Sequence, residues 1–187
     1  YTLKQADQVL LYYTADWTKE DSTQHWGGGS GKADSKTPDQ LPFADVAADS
    51  YYYDAVLWAT GQGVTTGTSD TTFGPDAVCT RAQIVTFLWR AAGKPVVNYA
   101  MSFSDVKESF YYAEAVRWAA SLGIVTGLSK NTFGAANAVT REQAVTMLWR
   151  FAKQQGFDTT QGGMAIREYN DYDSLSEYAR EAMAWAV

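Results

Sequence analysis

One stretch of this 187-residue chain occurs twice, and this repetition limits what the chain can fold into. Residues 63–90 read G-V-T-T-G-T-S-D-T-T-F-G-P-D-A-V-C-T-R-A-Q-I-V-T-F-L-W-R, and residues 123–150 read G-I-V-T-G-L-S-K-N-T-F-G-A-A-N-A-V-T-R-E-Q-A-V-T-M-L-W-R. Equivalent positions lie about 60 residues apart without a gap, and roughly half of them are identical, which indicates an internal structural repeat. We therefore expect similar folded units and a function that more than one unit performs.

Each copy is predicted to be a helix–loop–helix unit. Apolar residues at helical spacing predict a first helix over 51–60 in one copy and over 111–121 in the other. Asp49 or Ser50 is expected to cap the first of these, because short polar side chains satisfy free amides at a helix start. A glycine-rich loop with turn residues follows each first helix.

The second helix of each copy opens with a capping-box sequence. Thr80 is followed three residues later by Gln83, and Thr140 by Gln143. In such a box the threonine side chain accepts from the amide of the glutamine, and the glutamine side chain reaches back to the threonine amide. We predict second helices that begin at Thr80 and Thr140, the latter ending near Gln154.

The rest of the chain divides around these copies. We predict an N-terminal helix at 1–16, a glycine-rich linker at 17–42, a first repeat at 43–102, a second repeat at 103–168 and an incomplete third repeat at 169–187. The N-terminal T-L-K-Q-A-D-Q-V-L resembles either a degenerate second helix, T-R-E-Q-A-V-T-M-L, or the second helix of a dockerin-like module without its calcium loop. In the first case, two whole copies and two complementary halves would close as three.

Composition excludes several classes of partner. The net charge is −6 and the isoelectric point is near 4.7, so the chain lacks the basic field that gathers nucleic-acid phosphates. An acidic polymer would be repelled at long range, so binding one requires local cationic pockets. No apolar run is long enough to span a membrane. The single cysteine, Cys79, is expected to be a small buried apolar residue and excludes an internal disulfide framework.

Two arginines stand where a helix disfavours them. Arg81 and Arg141 are each the first residue of a second helix, where the macrodipole opposes a cation by a few tenths to about 1 kcal/mol. Free amides, the positive helix end and a guanidinium would together form an anion site. The alternative is that each arginine pairs with a nearby carboxylate such as Asp45, Asp105 or Asp76.

Aspartates and tyrosines also recur at equivalent places. Asp45, Asp105 and Asp171 precede the first helices, and we interpret them as loop staples in preference to ligand contacts. Tyrosines open those helices and either stack on sugar rings or pack internally; they are Tyr51, Tyr111 and Tyr178.

The sequence carries no catalytic constellation. His25 is the only histidine and lies in the linker, and we expect no functional role for it. There is no metal-ligand cluster and no phosphate-binding glycine loop, so we predict neither an enzyme nor a cofactor or metal.

The order F-x-D-V, Y-Y-x-x-A-V, G-(V/I)-x-T-G, T-F-G and T-R-x-Q resembles the S-layer homology repeat. The match covers most of residues 43–153 and the opening of a third repeat from 169. The resemblance implies an all-α fold of helix–loop–helix repeats packed as a pseudo-threefold helical bundle with grooves between repeats. It also implies an extracellular module that anchors a secreted protein noncovalently to secondary cell wall polysaccharide, often through pyruvylated sugars.

The resemblance implies which residues bind. Arg81 and Arg141 match the basic residue of the family motif, and the grooves would pair Arg81 with Tyr111 and Arg141 with Tyr178. The full set implied for polysaccharide binding is Arg81, Arg141, Tyr51, Tyr111, Tyr178, Gly67, Gly127, Gln83 and Gln143. The chain departs from the family pattern where tyrosine replaces the usual tryptophan, where glutamine replaces the usual glutamate, and at Leu3, which stands in the arginine position.

The leading hypothesis is therefore a cell-wall-anchoring module. It predicts that replacing both motif arginines with alanine abolishes wall binding without changing helical content. The rival is a structural assembly module that packs against copies of itself or neighbouring surface proteins, with no sugar bound. A third possibility is an accessory module of a larger hydrolase.

Overall fold

The computed structural model describes residues 40–160 and 162–187, so the predictions for the N-terminal helix and for most of the linker lie outside the described residues. Three short 3₁₀ segments precede the last helix, at Met164–Glu168, Tyr172–Ser174 and Glu177–Ala179. The described part contains isolated β-bridges but no sheet, which confirms the all-α class. The pseudo-threefold arrangement stays a prediction. The α-helices are α1 (Tyr53–Gly61), α2 (Arg81–Ala91), α3 (Ala113–Ser121), α4 (Arg141–Gln154) and α5 (Arg180–Trp185).

The second helices, α2 and α4, begin directly after the threonines that the sequence indicated. In α2 the capping box is complete: the Gln83 amide donates to Thr80 Oγ1, and Gln83 Oε1 accepts from the Thr80 amide at 2.8 Å. In α4 only half of the predicted box forms, because the Gln143 amide donates to Thr140 Oγ1 while the Gln143 side chain accepts from Arg81. A contact between repeats therefore replaces a local one.

The first helices begin two residues later than predicted. Tyr52 stands at the cap position of α1 without a side-chain hydrogen bond, so the predicted capping by Asp49 or Ser50 is wrong. A backbone turn starts the helix instead, since the amide of Tyr53 donates to the carbonyl of Ser50 at 2.9 Å. The same turn precedes α3. Tyr51 and Tyr111 consequently lie in turns before their helices, whereas Tyr178 lies in the 3₁₀ segment before α5.

Packing interlocks the repeats. The second helix of each repeat lies against the first helix of the next one, α2 against α3 and α4 against α5, and α2 also packs on α4. Each fully buried aliphatic or aromatic side chain contributes about 1.5–3 kcal/mol through removal from water. The largest side chains in this core are fully buried: Phe133, Ile84, Ile124, Val56, Val85, Val116 and Val145. The largest cluster of buried side chains draws on both complete repeats, while Phe43, Val46 and Val56 form a separate cluster within the first.

Aspartate staples close the loops, as predicted for the first two repeats. Asp105 accepts hydrogen bonds from the amides of Phe133 and Gly134, both at 2.8 Å. Asp45 makes the same pair of bonds in the first repeat, to amides 28 and 29 residues further along the chain. Asp171 differs, because its Oδ1 is buried without a hydrogen-bond partner. The equivalent staple in the third repeat thus lacks its amides among the described residues.

Candidate functional site

Arg81 crosslinks the two complete repeats. Only 3% of the residue is exposed. Its Nε donates to the carbonyl of Phe133 at 3.1 Å, and one terminal nitrogen donates to the carbonyl of Thr126 at 2.8 Å. The other terminal nitrogen donates to Gln143 Oε1 at 3.2 Å. We call this junction, formed by Arg81, Thr126, Phe133 and Gln143, the inter-repeat seam.

The guanidinium of Arg81 is a buried cation with neutral acceptors. Within residues 40–160 and 162–187 no carboxylate forms an ion pair with it, so the alternative of direct pairing with a nearby aspartate is not what the structure shows. Its guanidinium lies 4.8 Å from the centre of the Phe133 ring. Burial lowers the pKa of Arg81, and the more distant charges of Tyr178 and Asp105 oppose that shift.

The expected free amides at the start of α2 are already occupied. The first two amides of the helix donate to the carbonyls of Asn137 and Ala135, and the third donates to Thr80 Oγ1. The loop of the second repeat supplies these carbonyls because it runs antiparallel beside Thr80, with a bridge to Ala138. An anion at this seam would therefore contact side chains and not the helix amides, which corrects that part of the sequence interpretation.

A second polar cluster forms where α4 meets the third repeat. Glu142 Oε1 accepts from the amide of Ser176 at 2.9 Å, and its Oε2 accepts from the hydroxyl of Tyr178 at 3.3 Å. Burial alone would raise the pKa of Glu142, but the bonds from Ser176 and Tyr178 hold it below its ordinary value. Burial, followed by the charge of Glu142, raises the pKa of the Tyr178 hydroxyl.

Glu142 was not singled out by sequence reasoning. The equivalent residue of the first repeat is Ala82, so this position differs between the copies and repetition gives no signal there. Arg141, its neighbour in the chain, is partly buried at the start of α4.

The three predicted tyrosines present their rings to solvent. The exposed fractions are 59% for Tyr51, 64% for Tyr111 and 52% for Tyr178. Tyr51 contacts Tyr52 edge to face with ring centres 5.0 Å apart, and Tyr111 contacts Tyr112 in the same way. The exposed rings of Tyr51 and Tyr111 are thus each supported by a more buried ring, which suits them to present a face to a ligand.

Arg81 and Tyr178 lie within electrostatic reach of each other. The ionised form of Tyr178, from the third repeat, would raise the pKa of Arg81, and Arg81 would in turn lower that of Tyr178. The pairing of Arg81 with Tyr111 and of Arg141 with Tyr178 in separate grooves stays a prediction.

Gly67 and Gly127 allow their loops to approach aromatic rings closely. A Cβ on Gly127 would lie 2.6 Å from the Phe103 ring, and a Cβ on Gly67 would lie 2.6 Å from the Phe43 ring. Because Gly127 directly follows Thr126, the close approach also positions the carbonyl that accepts from Arg81. Both glycines therefore shape the loops of the repeats, while Gln83 stays within its own capping box.

The part of the chain that the structure describes has neither the side-chain grouping of a metal site nor the long apolar helix of a membrane span. It contains no group of three or more histidine, cysteine, aspartate or glutamate side chains placed to hold a metal ion. Across residues 40–160 and 162–187, none of the helices has the length and apolar character needed to cross a membrane.

Comparison with known proteins gives a consistent family match. The family model described as S-layer homology domain matches residues 42–85 and 102–145. An endoglucanase of Bacillus sp. (strain KSM-635) is 33% identical over 147 residues, which is 76% of this chain and 15% of that protein. A cell surface protein of Thermoanaerobacter kivui is 30% identical over 129 residues, 66% of this chain and 17% of that protein. A surface layer protein of Brevibacillus choshinensis is 32% identical over 92 residues, 47% of this chain and 8% of that protein.

Proposed function

Since the chain carries S-layer homology repeats of a cell-surface protein, we propose that it anchors a secreted protein noncovalently to the bacterial cell wall. Its ligand is secondary cell wall polysaccharide bound between repeats, and pyruvylated sugars are the preferred units. The repeats themselves are a non-catalytic anchoring module. Similarity to enzymes such as an endoglucanase, of which this chain covers 15%, reflects an anchoring segment shared with those proteins.

The buried, unneutralised charge of Arg81 is the observation that carries this proposal. A guanidinium has five N–H donors, and the protein uses one on each nitrogen, which leaves one on each terminal nitrogen. A desolvated cation attracts an anion more strongly than an exposed one does. Because only 3% of Arg81 is exposed, we expect it to attract an anion mainly through its charge and less through direct contact. The carboxylate of a pyruvyl ketal fits such a site, although the protein as a whole carries a charge of −6.

The exposed tyrosines supply the second half of sugar recognition. Aromatic faces pack against the apolar faces of sugar rings, and a tyrosine hydroxyl adds a polar handle. Tyr178 lies beside Glu142 and within the electrostatic reach of Arg81. A sugar stacked on this ring would therefore have an anion-binding group and a hydrogen-bond acceptor at its edges.

Pull-down on purified wall sacculi tests the proposal. Sacculi are compared before and after hydrofluoric acid removes the attached polysaccharide, and binding is expected only before stripping. A double variant, Tyr111→Ala with Tyr178→Ala, should lose at least about tenfold in affinity, corresponding to about 1.4 kcal/mol. Tyr99→Ala is the matched control, because Tyr99 is also exposed and is absent from the predicted binding set. Equal binding to stripped sacculi, or undiminished binding by the double variant, would refute the proposal.

A second candidate function is self-assembly into a surface layer. It is favoured by the similarity to a surface layer protein of Brevibacillus choshinensis, which is 32% identical over 92 residues. Sedimentation of the purified chain without polysaccharide separates the two functions. A concentration-dependent oligomer that does not bind sacculi would favour assembly.

A further inference from the structure

The turn before α3 carries different side chains from its equivalent before α1. The backbone is the same in both: the amide of Phe110 donates to the carbonyl of Lys107 at 3.0 Å, and the amide of Ser50 donates to that of Ala47 at 3.0 Å. The second repeat thus has a lysine and a phenylalanine where the first has alanine and serine. In the third repeat the residue before the aligned tyrosine is Glu177. A cation and an apolar ring therefore stand at the two ends of one turn in the second repeat and in neither of the others.

Phe110 belongs to a patch of three aromatic rings. The residue is 38% exposed, and its ring centre lies 5.3 Å from that of Tyr112. Tyr111, which is 64% exposed, contacts the same ring edge to face at 5.0 Å. Tyr112 itself is partly buried and packs against the largest core cluster. Two exposed rings are thus supported by one anchored ring, and we call Phe110, Tyr111 and Tyr112 the aromatic patch.

An ion-pair network fixes the turn that carries Phe110. Arg117, on α3, donates to Glu108 in the turn and to Glu114 on its own helix. Only 14% of the Arg117 side chain is exposed, so the network is shielded from solvent on the arginine side, unlike an ordinary surface ion pair. The equivalent residues of the first repeat cannot form this network; they are Ala48, Asp54 and Leu57. A turn that is held in place loses less conformational entropy when a ligand binds.

Lys107 is available to a ligand. It is exposed, and no carboxylate among residues 40–160 and 162–187 forms an ion pair with it, while its neighbour Glu108 bonds to Arg117. In a chain with a net charge of −6, an ammonium in the same turn as an apolar ring provides a local attraction for an acidic group. We propose that Phe110 and Lys107 form an accessory subsite that binds a second acidic sugar unit of the polysaccharide, next to the unit on Tyr111. This subsite depends on the proposed anchoring function and adds to it, because it makes the second repeat select longer acidic glycans.

The surroundings of the aromatic patch favour a sugar over a protein partner. Phe110 and Tyr111 stand among charged side chains, since Lys107 and Glu108 lie in the same turn and both are exposed. The centre of a protein interface is depleted in charged residues, whereas a sugar ring combines an apolar face with polar edges. The phenylalanine ring offers a stacking surface without a hydroxyl, and the lysine offers three N–H donors to a substituent at the edge of the sugar.

Calorimetry with polysaccharide fragments of different length tests the subsite. The probes are polysaccharide released from purified sacculi and separated into its shortest and longest fragments. Phe110→Ser introduces the first-repeat residue, which supports the same backbone turn, so the fold should be kept. It should weaken binding of the longest fragments about three- to tenfold and leave the shortest within about twofold. Lys107→Ala should weaken the same fragments and make their binding less sensitive to salt. Val96→Ser, at an apolar residue that is 81% exposed in another segment, is the matched control and should change neither.

A double variant separates the positioning of the turn from contact with the sugar. Arg117→Leu combined with Glu108→Ala introduces two first-repeat residues and keeps the net charge, while Phe110 and Lys107 remain. Amide hydrogen exchange over 107–110 should rise, and binding of the longest fragments should weaken. Unchanged exchange there, or unchanged binding, would show that the network does not prepare the subsite.

The outcomes distinguish this subsite from the anchoring function. If Phe110→Ser binds the longest fragments as tightly as the wild type does, the accessory subsite is wrong while the anchoring function stands. Equal weakening of the shortest and longest fragments also overturns it, because Phe110 would then belong to the site of the first sugar. Failure of the wild type to bind any fragment refutes both. If Phe110→Ser instead abolishes a dimer that sedimentation detects without polysaccharide, the aromatic patch is a protein interface and the subsite is overturned.

Discussion

Replacing Arg81 with methionine tests whether the inter-repeat seam depends on its guanidinium. Methionine keeps an unbranched apolar stem against the Phe133 ring and removes all three hydrogen bonds. Hydrogen bonds from charged donors contribute about 1.5–3 kcal/mol each, and their acceptors are left unsatisfied when the donor is lost. The variant also recovers several kcal/mol by not burying a charge. The net loss in the free energy of unfolding should be about 2–4 kcal/mol.

Urea denaturation followed by circular dichroism and tryptophan fluorescence measures this loss. Arg90→Met is the matched control, because Arg90 also lies on α2 but donates one hydrogen bond of 3.2 Å, to the carbonyl of Val64, and is only partly buried. The control should lose about 1 kcal/mol or less. A loss of 2–4 kcal/mol lowers the thermal midpoint by roughly 10 °C for a domain of this size. If Arg81→Met is no less stable than Arg90→Met, the structural role assigned to Arg81 is wrong.

The result also decides how binding experiments on the arginines are interpreted. The sequence alone predicted that alanine at both Arg81 and Arg141 abolishes wall binding without a change in helical content. Because Arg81 joins the repeats, we now expect that double variant to be destabilised as well. Arg81→Lys is the better binding probe, since lysine keeps the charge while its ammonium cannot reproduce the planar fork.

Two further perturbations probe the loops. Asp105→Asn should lower the free energy of unfolding at neutral pH and have a smaller effect in acid. Burial raises the pKa of Asp105, but the Phe133 and Gly134 amides and the Arg81 charge outweigh burial and hold this pKa below its ordinary value of 3.8. Stability from such a depressed pKa is present above the unfolded value and lost as the pH falls through the folded value, so the stabilities of wild type and variant should approach each other only as the pH falls below the ordinary aspartate pKa. Gly127→Ala should destabilise the chain by at least twice as much as Gly123→Ala, whose added Cβ meets no atom within 4 Å and costs only about 1–2 kcal/mol of left-handed backbone strain. Equal losses for the two alanines in thermal melts would contradict the role given to the close approach at Phe103.

Local signals in the sequence predicted the second helices well. Threonine caps satisfy amides within three residues, so Thr80 and Thr140 specify where α2 and α4 begin. The starts of α1 and α3 were predicted less accurately, because a backbone turn and not a capping side chain determines where these helices begin. Asp49 and Ser50 are good cap formers in general, but the turn places them before the helix.

Contacts between repeats could not be predicted from local patterns. The Gln143 side chain leaves its capping box because Arg81, 62 residues earlier, supplies a charged donor. The role of Glu142 could not be predicted for the same reason, because its partners Ser176 and Tyr178 lie 34 and 36 residues further along the chain. The repeated sequence identified Arg81 as unusual. Only the folded structure shows that its guanidinium bonds to the second repeat, which the sequence could not distinguish from a guanidinium available to a ligand.

Glu142, whose equivalent in the first repeat is Ala82, adds a negative charge to the proposed ligand site. Glu142 stays ionised at neutral pH because its pKa is lowered, and it lies at the rim beside Tyr178. Arg81 is coupled electrostatically to Tyr178 and is buried, with no ion-pair partner among the described residues. If an acidic sugar binds here as we propose, we expect its carboxylate to turn toward Arg81 and its hydroxyls toward Glu142.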